Sequence, residues 1–189
     1  MNVLRARRRP HQRPATSDQR LISMLTIRPS TPDDIELILQ FIRWLAEYER
    51  APEEAVATSA DLLRDGFGPG AKFRCDLAFW DGEPAGFCFY FFNYSTWQGR
   101  PGLYLEDLFV RPEMRGEGIG KALLVHLARV AVRENCGRFS WAVLDWNTPA
   151  QEFYQSLGAK MLKEWLIMRV EGDALRKLAE ASTPSDQHG

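Results

Sequence analysis

The stretch RPEMRGEGIG, Arg111 to Gly120, sets three glycines and two arginines between the apolar run LYLEDLFV and a long amphipathic stretch. Glycine turns the chain where other residues clash, and it lets a ligand reach main-chain N–H groups unobstructed. At the start of a helix those groups point outward with the positive end of the helix dipole, an arrangement that binds phosphate. The strand-loop-helix order, and a guanidinium at Arg115 that can pair bidentately with phosphate, favour an anion site over glycines that only turn the chain. Two nucleotide motifs do not fit. A P-loop needs glycine five positions before Gly120 and a hydroxyl after Lys121, where Arg115 and Ala122 stand. A dinucleotide fingerprint needs G-x-G-x-x-G, whereas Gly116, Gly118 and Gly120 are spaced two apart.

The rest of the chain supplies elements to carry such a loop. Leu25 to Arg28 reads as a strand. Thr31 as N-cap, Pro32 in the first turn and the acids after it start a helix, with Ile35, Ile38, Phe41, Ile42 and Leu45 on one face. A short helix over 59–65 is closed by Gly66. CDLAFW, Asp81-Gly82 and EPAGFCFYFFNY read as a β-hairpin, followed by a third strand at LYLEDLFV. Gly118 to Asn135 reads as a helix, RFSWAVL as a strand, TPAQEFYQSLG as a helix ended by Gly158, and EWLIMRV as a final strand. This order predicts an α/β or α+β fold with a central mixed sheet, one domain over 24–182, a disordered leader over 1–23 and a disordered tail over 183–189.

Six of the 24 Lys and Arg, but one of the 25 Asp and Glu, lie in the first 23 residues, which leaves a body of net charge −6. An acidic body suits a cationic partner and argues against nucleic acid. The leader reads as a basic tail in preference to a nucleic-acid-binding arm or transit peptide, and Met24 would serve as an alternative start. Cys75, Cys88 and Cys136 form no C-x-x-C pair, which points away from disulfides and metal and toward a reducing cytoplasm. No apolar run approaches the roughly 20 residues of a membrane span.

VRPEMRGEGIGKALL resembles the R/Q-x-x-G-x-G/A motif of the GNAT acetyltransferase superfamily. IRPSTPDD, LAEYE, DLLRDGFG, YLEDLFVRP, RGEGIGKALL and DWNTPAQEFYQSLGA, in that order, resemble its spermidine/spermine (diamine) and thialysine acetyltransferase branch. The resemblance implies a mostly antiparallel mixed sheet flanked by helices, a homodimer, acetyl-CoA as co-substrate, no metal and a small amine as substrate. It implies that Leu108, Phe109 and Val110 offer main-chain groups to the pantetheine arm. Arg115, Gly116, Glu117, Gly118, Ile119, Gly120 and Lys121 would hold the pyrophosphate, and Asn147, Thr148, Pro149 and Ala150 would touch the arm.

Acetyl transfer to an amine needs a proton acceptor, a polarised carbonyl and a proton for the leaving sulfur. Glu106 and Asp107 are candidate acceptors, but neighbouring strand residues face opposite sides unless a bulge intervenes. The resemblance selects Glu106, acting directly or through water, and assigns Tyr154 as general acid, a residue otherwise read as a packing aromatic. It places Tyr48, Glu49, Ser95, Trp97, Glu106, Ser140, Trp141 and Ala142 around the amine. Ser95 stands where the diamine branch has an acid, so a shorter amine such as thialysine stands as an alternative to a diamine or polyamine. A non-catalytic acyl-CoA-binding module and a protein or N-terminal acetyltransferase are the competing readings.

Overall fold

The computed structural model describes residues 24–181, so the expectations for 1–23 and 183–189 lie outside the described residues. Two compact units divide the chain after Ala142. The first begins with β1 (Leu25–Pro29), followed by α1 (Ile35–Tyr48) and α2 (Ser59–Gly66). Then come β2 (Arg74–Trp80), β3 (Glu83–Ser95), β4 (Arg100–Val110), α3 (Ile119–Arg133) and β5 (Phe139–Trp141). The five strands lie in sequence order, with β1 to β4 antiparallel and β5 parallel to β4. Parallel neighbours need a crossover connection, and α3 supplies it. The sheet is therefore mixed and mostly antiparallel.

The local chemistry accounts for the joints. Asp81 and Gly82 form the two-residue loop between Trp80 and Glu83, with φ of 51° and 85°, the positive values that let a tight turn follow the strand twist. Ahead of α1, Thr31 and Asp34 form a capping box. Arg28 of β1 grips the Asp34 carboxylate with two hydrogen bonds of 2.7 and 2.8 Å. That pairing, foremost, holds the Asp34 carboxyl well below the usual range.

Alternation of side chains assigns the two faces of the sheet. Leu77, Phe87 and Phe109 join Ile35, Ile38, Leu39 and Phe41 of α1 in one buried cluster, where Phe41 stacks on Phe87 with centroids 5.4 Å apart. Their strand neighbours Asp76 and Cys88 point to the opposite face, which α3 covers with Ile119, Leu123, Leu124, Leu127 and Val130. Between Leu105 and Asp107 the register slips by one: Tyr90 pairs with Leu105 and Phe89 with Asp107, so Glu106 has no partner across the ladder. This bulge moves β4 from one face to the other. Leu103 and Leu105 lie on the α3 side, Asp107 and Phe109 on the α1 side.

The second unit carries α4 (Thr148–Ser156) and α5 (Gly172–Ala179). Gly158, at φ 91°, ends α4 as expected. Two strand expectations are corrected. RFSWAVL keeps only Phe139–Trp141, because its ladder with β4 stops at Leu105, where the bulge begins. EWLIMRV forms no strand: Leu166 and Met168 are 85% and 89% exposed. A strand requires a neighbouring edge, and the described part of this unit contains no other strand. The short helix α5 was absent from the sequence reading. No described helix is long and apolar enough to cross a membrane, and the three cysteines are unbonded.

Because Phe41 is fully buried against Phe87, Phe109 and Trp44, Phe41→Ala is expected to lower stability by about 3–5 kcal/mol. Urea denaturation followed by circular dichroism checks the loss; a change below about 1 kcal/mol would contradict this core.

Candidate active site

The glycine loop has a backbone geometry that can receive an anion. Gly116 and Gly118 take φ of 87° and 83°, and a side chain on Gly116 would meet only open space. Gly118 is the N-cap of α3 in left-handed conformation, with no side chain over the helix start. The first-turn N–H groups of α3 are thereby left open to an incoming anion. Ile119 contributes main chain only, since its side chain is buried in the core, while Glu117 and Lys121 are exposed.

Two arginines fasten this loop to the end of α1. Arg115 donates from Nε to the Val110 carbonyl at 3.0 Å and lays its guanidinium over the Tyr48 ring, 4.6 Å from the centroid. Arg111 donates to the Pro84 carbonyl at 3.0 Å, pairs with Glu113 and lies 5.7 Å from the Trp44 ring centre. The sequence expectations gave Arg111 no role beyond its place in the stretch; the signal was its four-residue spacing from Arg115, which matches that of Trp44 and Tyr48.

Along β4, Leu108, Phe109 and Val110 pair with Cys88, Phe87 and Gly86 of β3. On its other side β4 pairs with β5 only through Leu103–Leu105. The edge from Glu106 to Val110 is therefore without a β5 partner, a geometry into which an extended ligand can add as a strand. Open space at the loop, bare N–H groups at a helix start and a free strand edge together fit a coenzyme with a pyrophosphate and an amide-bearing arm.

Beside this edge lies an acidic cluster. Burial, then the charges of Glu106 and Glu49, push the Asp107 carboxyl up from 3.8 to about 7. Partial burial also raises Glu49, at the end of α1. The structure thus gathers Glu49 and Glu106 with Asp107, which the sequence offered as a proton acceptor but the resemblance did not select. Ser140 and Trp141 stand opposite Tyr104 and Leu105, one residue from Glu106, and Ala142 follows them. Ser95 and Trp97 are not gathered here. Ser95 pairs with Arg100, six residues before Glu106, about 20 Å along a strand. Ser95 is buried and accepts the Gln98 N–H on its hydroxyl, while Trp97 is 90% exposed at the hairpin tip.

In the second unit, the Asn147 side chain accepts from the Ala150 N–H at 3.3 Å and caps α4, with Thr148 and Pro149 in the first turn. Gln151 holds the preceding loop through the Leu144 and Asp145 carbonyls at 3.0 and 2.9 Å. Tyr154 is half-buried in the last turns of α4, with its ring 5.4 Å from that of Phe153.

The sequence pattern of the acetyltransferase (GNAT) family matches residues 37–159, well over half of the chain. The chain belongs to the GNAT acetyltransferase family. It is an N-acetyltransferase. Over 169 residues it is 41% identical to a thialysine N-epsilon-acetyltransferase of Sus scrofa, covering 84% of this chain and 99% of that one. Over 94 residues it is 44% identical to an L-ornithine N5-acetyltransferase of Arabidopsis thaliana, spanning 50% of this chain and 41% of the relative. Among solved structures, an integron cassette protein from V. cholerae superposes with a TM-score of 0.71 at 29% identity, over 84% of this chain and 99% of that chain. This GNAT chain also shares its fold with an aminoglycoside acetyltransferase from a soil metagenome, at TM-score 0.68 and 16% identity, over 80% and 99% of the two chains.

The Asp107 carboxyl, protonated in the folded protein up to about pH 7 and ionised when unfolded above 3.8, makes the folded state bind more protons across that window. Stability from this group is full below the lower value and is lost as pH rises through the upper one. Asp107→Asn, which keeps the neutral form, should therefore match the parent near pH 4 and exceed it at pH 8 in thermal melts. An equal offset at both pH values would refute the assignment.

Proposed function

We propose that this GNAT chain transfers an acetyl group from acetyl-CoA to the primary amine of a small, amino-acid-like cation of the thialysine or ornithine kind, in preference to a long polyamine. The observation that carries this reading is the concentration of Glu49, Glu106 and Asp107 at the β4 bulge, beside the free edge. A compact set of carboxylates suits a single ammonium group, whereas a long polycation needs anions spaced along its length. Ser95 carries no charge and its hydroxyl already serves the hairpin turn. The names of the thialysine and ornithine acetyltransferases similar to this chain agree with a short amine.

A free alkyl amine has a pKa near ~10.4 and must shed its proton before it attacks a carbonyl carbon. Glu106, freed from the ladder by the bulge, accepts that proton directly or through a water. Asp107, titrating near neutrality beside it, tunes the same acidic cluster. The loop from Arg115 to Lys121 holds the pyrophosphate, the main chain of Leu108 to Val110 orients the arm, and Asn147 to Ala150 border it. Acetyl-CoA supplies the acetyl group activated as a thioester. Tyr154 provides the phenolic proton for the departing sulfur. The protein acts as a cytoplasmic homodimer, with residues 24–182 as one catalytic domain and neither nucleic acid nor membrane as partner.

A steady-state screen with acetyl-CoA against thialysine, ornithine, lysine, putrescine, spermidine and a lysine-bearing peptide tests the substrate. The highest kcat/KM is expected on thialysine or ornithine. Preference for spermidine would return the chain to the polyamine reading, and activity confined to the peptide would favour a protein acetyltransferase. Tyr154→Phe should bind acetyl-CoA as the parent does and lose about 100-fold or more in kcat; unchanged turnover removes Tyr154 from the mechanism.

A further inference from the structure

The α3 side of the sheet holds a buried polar cluster that no step of the chemistry above uses. Asp76 of β2 is 3% exposed. Its Oδ2 accepts a hydrogen bond from His126 Nε2 at 2.7 Å and another from the Tyr90 hydroxyl at 3.2 Å. A carboxylate taken out of water is costly unless it is hydrogen-bonded, and here β3 and α3 both donate to Oδ2. Burial, then the Asp76 charge, pushes the Tyr90 phenol far above its ordinary value, so it stays a donor.

We propose that His126, Asp76 and Tyr90 form a polar pin that seats α3 on the sheet and thereby positions the glycine loop for acetyl-CoA. The proposal rests on the reading that this loop holds the coenzyme. The buried residues of α3 are aliphatic, Ile119, Leu123, Leu124, Leu127, Val130 and Ala131, and at its exposed far end Glu134 pairs with Arg74 of β2 at 3.5 Å. Apolar burial is non-directional, whereas a short hydrogen bond to a buried carboxylate specifies one rotation and one height of the helix. His126 lies seven residues after Ile119, about 10 Å along the axis, so a rotation that breaks the pin also displaces Gly118 and the first-turn N–H groups. Asp76 further stands in one transverse row with Cys88 and Leu108. The pin therefore references the helix that cradles the pyrophosphate to the strand that receives the arm. His126, Asp76 and Tyr90 are positioning residues, acting through main-chain groups elsewhere.

The test separates positioning from stability. In full-length enzyme, His126→Leu is expected to raise the acetyl-CoA KM about tenfold, with kcat at saturating coenzyme within about threefold of the parent and an unchanged amine KM. His126→Gln, which can donate to the same oxygen, should recover most of the coenzyme KM. Because His126→Leu strands a buried carboxylate, the triple variant Asp76→Leu, Tyr90→Phe, His126→Leu removes the whole cluster and should regain thermal stability. A raised coenzyme KM that persists in this restabilised protein supports the pin; a KM that returns with Tm overturns it. Gly118→Val serves as the control on the loop. A raised coenzyme KM in Gly118→Val with none in the pin variants defeats the pin alone, whereas an unchanged KM in Gly118→Val defeats the loop reading beneath it.

Discussion

Side chains on a strand alternate strictly, so a strand shared by two helical layers cannot serve both with unbroken register unless its sequence serves both faces along its whole length. β4 escapes this by the one residue that its ladder with β3 skips. Before Glu106 it gives Leu103 and Leu105 to the α3 layer; after it, Phe109 closes the α1 layer with Phe41 and Phe87. The same extra residue ends the pairing with β5, frees the edge over Leu108 to Val110, and takes Glu106 out of the ladder. Packing, the β4 edge beyond β5 and the acidic cluster all follow from where that bulge falls.

Much of this was legible in advance. α1 announced itself through a capping residue, an early proline and five apolar positions on one face, and the hairpin through Asp81-Gly82. Both are local signals, written in a dozen residues or fewer. The bulge was not legible, because LYLEDLFV is mostly apolar on both sides of the Glu106–Asp107 pair and gives no period to interrupt. The sequence could only state that Glu106 and Asp107 share a site if a bulge intervened. EWLIMRV failed for a related reason: its composition favours a strand, but a strand exists only in the company of a neighbour's hydrogen bonds. The turn at the start of α3 was legible in its glycines, two of which take positive φ, whereas the aromatic faces under Arg111 and Arg115 depend on a contact between segments more than sixty residues apart.

The molecule treats buried charge in two contrasting ways. Asp76 receives two donors on one oxygen and sits in the packed α3 layer. Asp107 has like charges for company, and burial first, then those charges, raises its proton affinity. The first arrangement holds an element in place. The second keeps a carboxyl near its ionisation point, as sites that exchange protons do.

The two arginine–aromatic contacts share one spacing, four residues from Arg111 to Arg115 and four from Trp44 to Tyr48. On α1 that interval is a single helical turn, so the aromatics form two rungs at fixed height, and the loop must match their pitch. Identity at these positions is then only half of the constraint. The other half is length: one residue gained or lost between Arg111 and Arg115 would leave only one of the two cations over its ring. Residues within the loop can be exchanged without breaking that match, but its length is set by the pitch of a helix in a different part of the chain.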